Sequence, residues 1–259
     1  MRTDHEIPTD AETLDSVDQV LGEVVADGDS RRGMLLKAGG LLAAGTALAL
    51  PGGATAATRT RGDIVDTLAT FEAFGVTLLS EAIRRAPGTP SAAFLGVLRA
   101  ANTTEFVHLQ ALRSIGGRQL TNRFWIPEAA FGGNGAGLFA TIAQQEEIEI
   151  SAYLTGVTAA ARRRDARDAR LLSEALGTEA EHRVLARFAS AQLSGSTEVP
   201  NNKGFESFKY RSAASATKAV QRLGVGIDAR GKAPGRFYDF PGDPRKNGTG
   251  DPIGTTRPS

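Results

Sequence analysis

The chain has 259 residues, 41% of them hydrophobic, and a formal net charge of +1. This composition supports one sizeable core, and the charge indicates no strongly acidic or basic partner such as nucleic acid. The chain contains no cysteine, which excludes disulfides, thiolate zinc sites and iron–sulfur clusters. A metal site would therefore use nitrogen and oxygen ligands.

The first part of the chain is typical of an export leader. Residues 1–29 contain nine acidic residues and one arginine, which predicts a disordered acidic extension. The segment Ser30-Arg31-Arg32-Gly33-Met34-Leu35-Leu36-Lys37 resembles a twin-arginine motif, and an apolar run and Ala54-Thr55-Ala56 follow it. The run is shorter than the roughly 20 residues that span a bilayer. Residues 30–56 are thus interpreted as a signal peptide cleaved after Ala56.

This leader predicts a folded protein exported out of the cytoplasm, to the periplasm, the cell envelope or the medium, with no stable membrane span after cleavage. An uncleaved membrane anchor and a cytosolic protein with an accidental arginine pair are the alternative interpretations.

Helical periodicity predicts four long helices at residues 64–85, 91–115, 137–162 and 166–189. The short linkers within each pair predict two antiparallel hairpins. The 21 residues at 116–136 can extend about 70 Å, whereas a 25-residue helix is about 38 Å long. This connection can therefore run the length of a bundle and make the second and third helices parallel.

Residues 196–259 differ in composition from the helical part. They are rich in glycine, proline and asparagine and contain eleven basic against six acidic residues. We expect a largely irregular tail, ordered only where it packs on the helices, with a short helix at 212–223. The charge excess suits either an anionic surface or, as the simpler interpretation, a soluble tail with no partner.

Two Glu-x-x-His motifs occur on otherwise apolar helical faces. Glu105 and His108 form the first, and Glu179 and His182 repeat it 74 residues later. Residues three apart project from the same face of a helix. Because burying an unpaired carboxylate costs several kcal/mol, this placement predicts a compensating cation. The only other histidine is His5, in the leader.

A single glutamate precedes each motif by 33 residues: Glu72 in the first half and Glu146 in the second. A lone Glu and a Glu-x-x-His from each hairpin form the ligand set of dinuclear iron and manganese carboxylate bundles. Four carboxylates would neutralise two divalent ions. Mixed imidazole and carboxylate ligands suit iron or manganese without selecting between them. The predicted metal ligands are Glu72, Glu105, His108, Glu146, Glu179 and His182.

Other polar residues near these stripes have less specific interpretations. Glu149 lies one turn from Glu146 and is either an extra ligand or a base beside the ligands. Tyr153 is interpreted as a core aromatic with a bonded hydroxyl rather than a redox partner. Glu147 and Glu181 point away from the stripes and are interpreted as solvated surface residues.

On the basis of these motifs, residues 63–190 resemble the ferritin-like superfamily, most closely exported ferritin-like proteins related to desiccation-related proteins. The resemblance implies an all-α, ferritin-like four-helix bundle of two antiparallel hairpins with one long crossover. It also implies that Glu105 and Glu179 bridge two metals, that Glu72 and Glu146 bind one each, and that each histidine completes one. No feature of this sequence matches the surface by which cage ferritins form their shell. The residues that carry the resemblance are Ala69-Thr70-Phe71-Glu72, Glu105-x-x-His108 with Leu112 and Gly116-Gly117, Glu146-Glu147 with Ala152-Tyr153, and Glu179-x-x-His182.

Three functions fit these expectations. The first is a di-metal oxidoreductase that oxidises ferrous iron or consumes peroxide, with ferrous iron, dioxygen or peroxide as small inorganic substrates. The second is a metal-binding, stress-protective exported protein without turnover. The third is a metal-free bundle that serves as a structural or interaction module in the envelope, the 74-residue symmetry being a relic. The sequence leaves a homo-oligomer open and contains no phosphate-binding loop, nucleophile elbow or nucleic-acid motif.

Overall fold

The structure is a computed structural model that describes residues 52–132 and 134–259, with the backbone alone at residues 52–62. The acidic extension, the twin-arginine motif and the apolar run of the leader lie outside the described residues. The described part is mostly helical, with five α-helices and one three-stranded sheet. None of its helices combines the length and the apolar character that a membrane crossing needs.

Four long helices form the main body: α1 (Gly52–Arg85), α2 (Leu95–Ser114), α3 (Ala136–Arg162) and α4 (Ala166–Ser194). Helix α1 begins twelve residues before the predicted start. Helix α2 begins four residues after it, because Pro90–Phe94 forms a 3-10 helix with proline at its first turn. Helix α4 is capped by the Asp165 side chain at its start, and its end at Ser194 is followed by Gly195, whose positive φ suits glycine.

Hydrogen bonds between helix ends define the directions of the two helix pairs. Arg118, just after the end of α2, contacts Asp66 in the first half of α1 at 2.8 Å, whereas the start of α2 follows the end of α1 after a short linker. Ser190, near the end of α4, donates to the carbonyl of Ala136 at the start of α3. Helices α1 and α2 are therefore antiparallel, and so are α3 and α4.

The connection between the pairs runs along α1. Leu120 donates its backbone N–H to Thr70 in the middle of α1, and Glu128 forms an ion pair with Arg85 at the C-terminal end of that helix. Helix α3 then begins beside the start of α2, where a Cβ at Gly135 would overlap Ser91 Oγ. Helices α2 and α3 therefore run in the same direction.

The tail is largely irregular, as the sequence indicates, but it also contributes two short strands that the sequence does not predict. Strand β1 (Arg123–Pro127), in the connection, lies between β2 (Gly226–Ile227) and β3 (Gly235–Asp239) of the tail and is antiparallel to both. Trp125 of β1 donates to the carbonyl of Ala233, and its ring packs edge-on against Phe237. A short helix, α5 (Ala213–Arg222), precedes the two tail strands where a helix was predicted at 212–223. The expectation of a largely irregular tail missed the sheet because its strands pair across about 100 residues.

The core lies between the four long helices and beneath β1. Its largest fully buried side chains come from α1, α2, α3 and β1, and α4 adds Leu172 and several buried alanines to the same cluster of contacting residues. The largest side chains include Leu68, Phe71, Phe74, Leu98, Leu109, Leu112, Phe124, Phe139, Ile150 and Tyr153.

Candidate metal centre

The six predicted ligands are all buried and come together inside the helices. Each is at most 9% exposed, and every long helix supplies at least one of them. We call these six residues the carboxylate–histidine cluster: Glu72 from α1, Glu105 and His108 from α2, Glu146 from α3, and Glu179 and His182 from α4. A cluster assembled from all four helices depends on the packing of the whole body.

The ligand atoms of the cluster form two groups that could each hold a metal ion. Glu72, His108 and Glu179 form one, and Glu105, Glu146, Glu179 and His182 form the other. Within each group the ligand atoms lie within 4.8 Å of one another. Glu179 belongs to both, so its carboxylate joins the two groups, whereas Glu105, which the resemblance implied as a second bridge, belongs to one group only.

In the first group, Nδ1 of His108 lies 2.5 Å from Glu179 Oε1 and 3.7 Å from Glu72 Oε2. Despite the short distance, the Nδ1 and Oε1 atoms do not have hydrogen-bond geometry, and both are buried without a hydrogen-bond partner. A cation beside these two atoms would therefore satisfy both.

In the second group, Nδ1 of His182 lies 3.0 Å from Glu179 Oε2 and 3.2 Å from Glu105 Oε1. Glu146 Oε1 is 3.8 Å away from the same nitrogen. The two oxygens of Glu179 thus face different histidines, which is the arrangement of a carboxylate that bridges two ions.

Unsatisfied buried atoms concentrate at this cluster. A buried polar atom without a partner costs about 1–3 kcal/mol, and more if it is charged, so such atoms are uncommon in folded proteins. A cation among them would satisfy several at once, and the donor set of carboxylates and imidazoles suits iron or manganese. The residues present therefore fit the group that the sequence predicts. The unsatisfied atoms here are Glu72 Oε2, both oxygens of Glu105, His108 Nδ1, Glu146 Oε2, Glu149 Oε2 and Glu179 Oε1.

The protonation of the cluster reflects its burial and its excess of carboxylates. Burial, with the nearby Glu179 charge, raises the pKa of Glu72 and Glu146 well above the usual value. Burial alone would lower the pKa of His182, but the neighbouring carboxylates of Glu105 and Glu179 raise it to about 10. Without a metal, the cluster therefore holds protons that an ion would displace.

Glu149 lies beside the cluster rather than in either ligand group. It is fully buried, and Gln145 Nε2 donates to its Oε1 at 3.3 Å, while Oε2 has no hydrogen bond. Burial and the neighbouring Glu105 charge raise its pKa well above the usual value. This environment suits a carboxyl group that holds a proton next to the ligands.

Tyr153 is a core aromatic whose hydroxyl donates to Glu72 Oε1, and its ring packs edge-on against His108. The two glutamates interpreted as surface residues belong to neither ligand group. Glu181 is exposed, and Glu147 is half-buried in ion pairs with Lys203 and Lys209.

Sequence reasoning did not identify two residues that shape the cluster. Gln145 is the donor to Glu149, and only its position before Glu146 hinted at this. Gly75 lies one turn after Glu72 on α1, and a Cβ there would overlap Glu105 Oε2. A glycine in the middle of an apolar stripe was the available signal for this close approach.

Comparison of the chain with protein-family models, curated proteins and solved structures found no match. The functional argument therefore depends on the geometry of the cluster.

Proposed function

We propose that the protein is an exported ferritin-like protein that binds two iron or manganese ions in the carboxylate–histidine cluster and oxidises ferrous iron or consumes peroxide. The observation that carries this proposal is the set of unsatisfied buried oxygen and nitrogen atoms around Glu179. The helix directions, with one long connection between two antiparallel pairs, suit a ferritin-like bundle.

In this proposal Glu72 and His108 would hold one ion, and Glu105, Glu146 and His182 would hold the other. Glu179, which belongs to both groups, would contribute to both. Bound iron or manganese would supply one-electron exchange with dioxygen or peroxide.

The chain's own polar groups orient and protonate the centre. Tyr153 fixes the Glu72 carboxylate through its hydroxyl, as hydrogen-bonded neighbours commonly do for metal ligands. Glu149 Oε2 is free to hold a proton close to the ligands.

A metal-free structural or interaction role is the second candidate. The observation that favours it is the pair of ion contacts from His108 and His182 to Glu179, which neutralise part of the negative charge without a metal. Four carboxylates against two imidazolium groups still leave an excess of two negative charges, which buried protons would have to remove.

Metal content separates the two candidates. We expect the protein purified from its native host to contain about two iron or manganese ions per chain by elemental analysis. A Glu105→Ala, His108→Ala variant should lose them, and the exposed Glu181→Gln variant should keep them. Less than about 0.2 ion per chain in the wild type would leave the metal-free role.

Turnover is the second measurement. Oxidation of ferrous iron or loss of peroxide by the metal-loaded wild type, absent in the double variant, supports the oxidoreductase. Two bound ions without either activity would restrict the proposal to metal binding and stress protection.

The proposed twin-arginine route needs its own experiment. A variant with Arg31→Lys and Arg32→Lys should stay in the cytoplasm with its leader intact. Undiminished export of this variant, measured by fractionation and by the mass of the mature chain, would contradict the route.

A further inference from the structure

An apolar pocket of about 390 Å³ opens between α2 and α4 beside the cluster. Two cluster residues, Glu146 and His182, belong to its lining, and the rest of the lining is mainly hydrophobic. We call it the apolar pocket. Its hydrophobic wall includes Val97, Leu98 and Ala101 from α2, Phe139 and Ile142 from α3, and Leu185 from α4.

Small residues on α2 account for this space. Gly96, Ala100 and Thr104 follow one another at four-residue spacing and line the pocket on the side that faces α4. A Cβ at Gly96 would meet no atom within 4 Å. With side chains this short, α2 cannot fill the gap between its own backbone and α4.

A second pocket, of about 340 Å³, reaches the cluster from the side of His108. We call it the polar pocket, because Glu174, Glu181 and Arg257 are among its lining residues. The two pockets have Thr104, Thr178 and Glu181 in common. The cluster is thus approached through two chemically different spaces.

The apolar pocket is poorly suited to a hydrated ion. An ion that enters it loses water against a mainly hydrophobic wall, in which Thr104, Thr178 and Glu181 are the few polar side chains outside the cluster, and this loss is unfavourable. An apolar molecule gains free energy as it leaves water, in proportion to the apolar area that it buries. The polar pocket offers the more favourable path for ions.

We propose that the apolar pocket binds a small, mainly apolar organic molecule, such as a medium-chain alkyl or bicyclic aromatic compound, with one end against Glu146 and His182. The pocket's volume falls in the usual range for small-molecule sites, about 300–1,000 Å³. Leu98 and Phe139 are each 2% exposed and line the inner end of the pocket. Val97 and Leu185 are 39% and 44% exposed and line its entrance. Binding of this molecule requires only the pocket. Its reaction at the metal centre, as an organic substrate, rests on the proposed function.

The test measures binding of 1-octanol to the full mature chain by calorimetry. Ala101→Phe places a phenyl ring in the apolar pocket and should weaken octanol binding by at least about 10-fold. Ala111→Phe is the matched control, because Ala111 is also half-buried on α2 but lines the polar pocket. The control should change octanol affinity by less than about 2-fold. Thermal unfolding of both variants checks that they fold.

Loading with manganese locates the bound molecule, because the paramagnetic ion relaxes nearby protons more strongly than distant ones. We expect faster relaxation of octanol protons in the manganese-loaded wild type, and loss of this effect in Ala101→Phe. No saturable octanol binding in the wild type, or binding that Ala101→Phe leaves unchanged, overturns the inference.

Metal analysis of the same samples separates the two proposals. If the wild type binds octanol but takes up no metal, the inference about the apolar pocket stands and the proposed function is contradicted. If it binds two metal ions but no octanol, the proposed function stands and the inference about the pocket is overturned. A wild-type dimer that takes up no octanol and dissociates on Ala101→Phe, measured by sedimentation, assigns the pocket to a second copy of the chain and also overturns the inference.

Discussion

Replacing Glu179 by glutamine tests whether one carboxylate joins two metal sites. The change preserves the size of the side chain and removes its charge. Because Glu179 is the one residue common to both ligand groups, we expect metal content to fall from about two ions per chain to nearly none. Glu72→Gln, which alters one group only, should leave about one.

The expected loss of folding stability in the metal-free Glu179→Gln variant follows from the two contacts of Glu179. Its oxygens lie 2.5 Å from His108 Nδ1 and 3.0 Å from His182 Nδ1. At an effective dielectric constant of about 20, these distances correspond to about 7 and 6 kcal/mol of attraction before desolvation is subtracted. Removal of one partner from a buried ion pair costs about 3–5 kcal/mol of folding stability after that correction. For a body of this size, the loss lowers the Tm by about 6–20 °C.

The assay is thermal unfolding of metal-free and metal-loaded protein, with elemental analysis of each sample. Metal at 100 times its Kd should add about 2.7 kcal/mol per site to the wild type, and Glu179→Gln should lose this gain. The control is Glu181→Gln, an exposed glutamate two residues along the same helix, which should change neither measurement. Two ions per chain in Glu179→Gln, or a metal-free Tm equal to that of the wild type, would refute the reasoning.

Three further predictions concern the groups around the cluster. Gly75→Ala should reduce metal content and destabilise the fold by about 1–3 kcal/mol, because the added Cβ overlaps Glu105 Oε2. The control Gly177→Ala, where a Cβ meets nothing within 4 Å, should have neither effect. Equal Tm values for the two variants would contradict this prediction. Tyr153→Phe removes the donor to a ligand carboxylate and should weaken metal binding about 10–100-fold in a chelator competition; unchanged affinity would show that the hydroxyl does not position the ligand. In the metal-free protein, the carboxylate neighbours of His182 raise its pKa from 6.5 to about 10, against the effect of burial. The contribution of His182 to folding stability is therefore complete below about pH 6.5 and is lost as the pH rises towards 10. This loss is at most about 5 kcal/mol. Metal-loaded protein should show the opposite slope at acidic to neutral pH because protons compete with the ions; parallel Tm profiles at pH 5–9 would exclude this competition.

The helices and the position of the cluster were accessible from the sequence because both depend on local periodicity. Glu105 and His108, three residues apart on an apolar stripe, must share a buried face if the stripe is helical. The 74-residue repeat then relates this face to the one that bears Glu179 and His182. The structure brings these residues together with Glu72 and Glu146, while the bound metal and the reaction remain predictions.

The sheet and the details of the cluster were not accessible, because they depend on contacts between distant segments. Strand β1 is short and pairs only with residues about 100 positions later. The overlap of a Cβ at Gly75 with Glu105 depends on the separation of α1 and α2, which no local pattern defines. In the same way, the hydrogen bond from Gln145 to Glu149 became visible only when the helix faces were in place.

The contacts of Trp125 with the tail give the protein an intrinsic fluorescent reporter. Trp125 is the only tryptophan of the chain, and it bonds Ala233 and packs against Phe237 and Arg230. Detachment of the tail would transfer the indole from these neighbours to water while the four long helices stayed folded. Its emission spectrum therefore follows docking of the tail, circular dichroism follows the helices, and a difference between the two melting curves would reveal that the regions unfold as separate units.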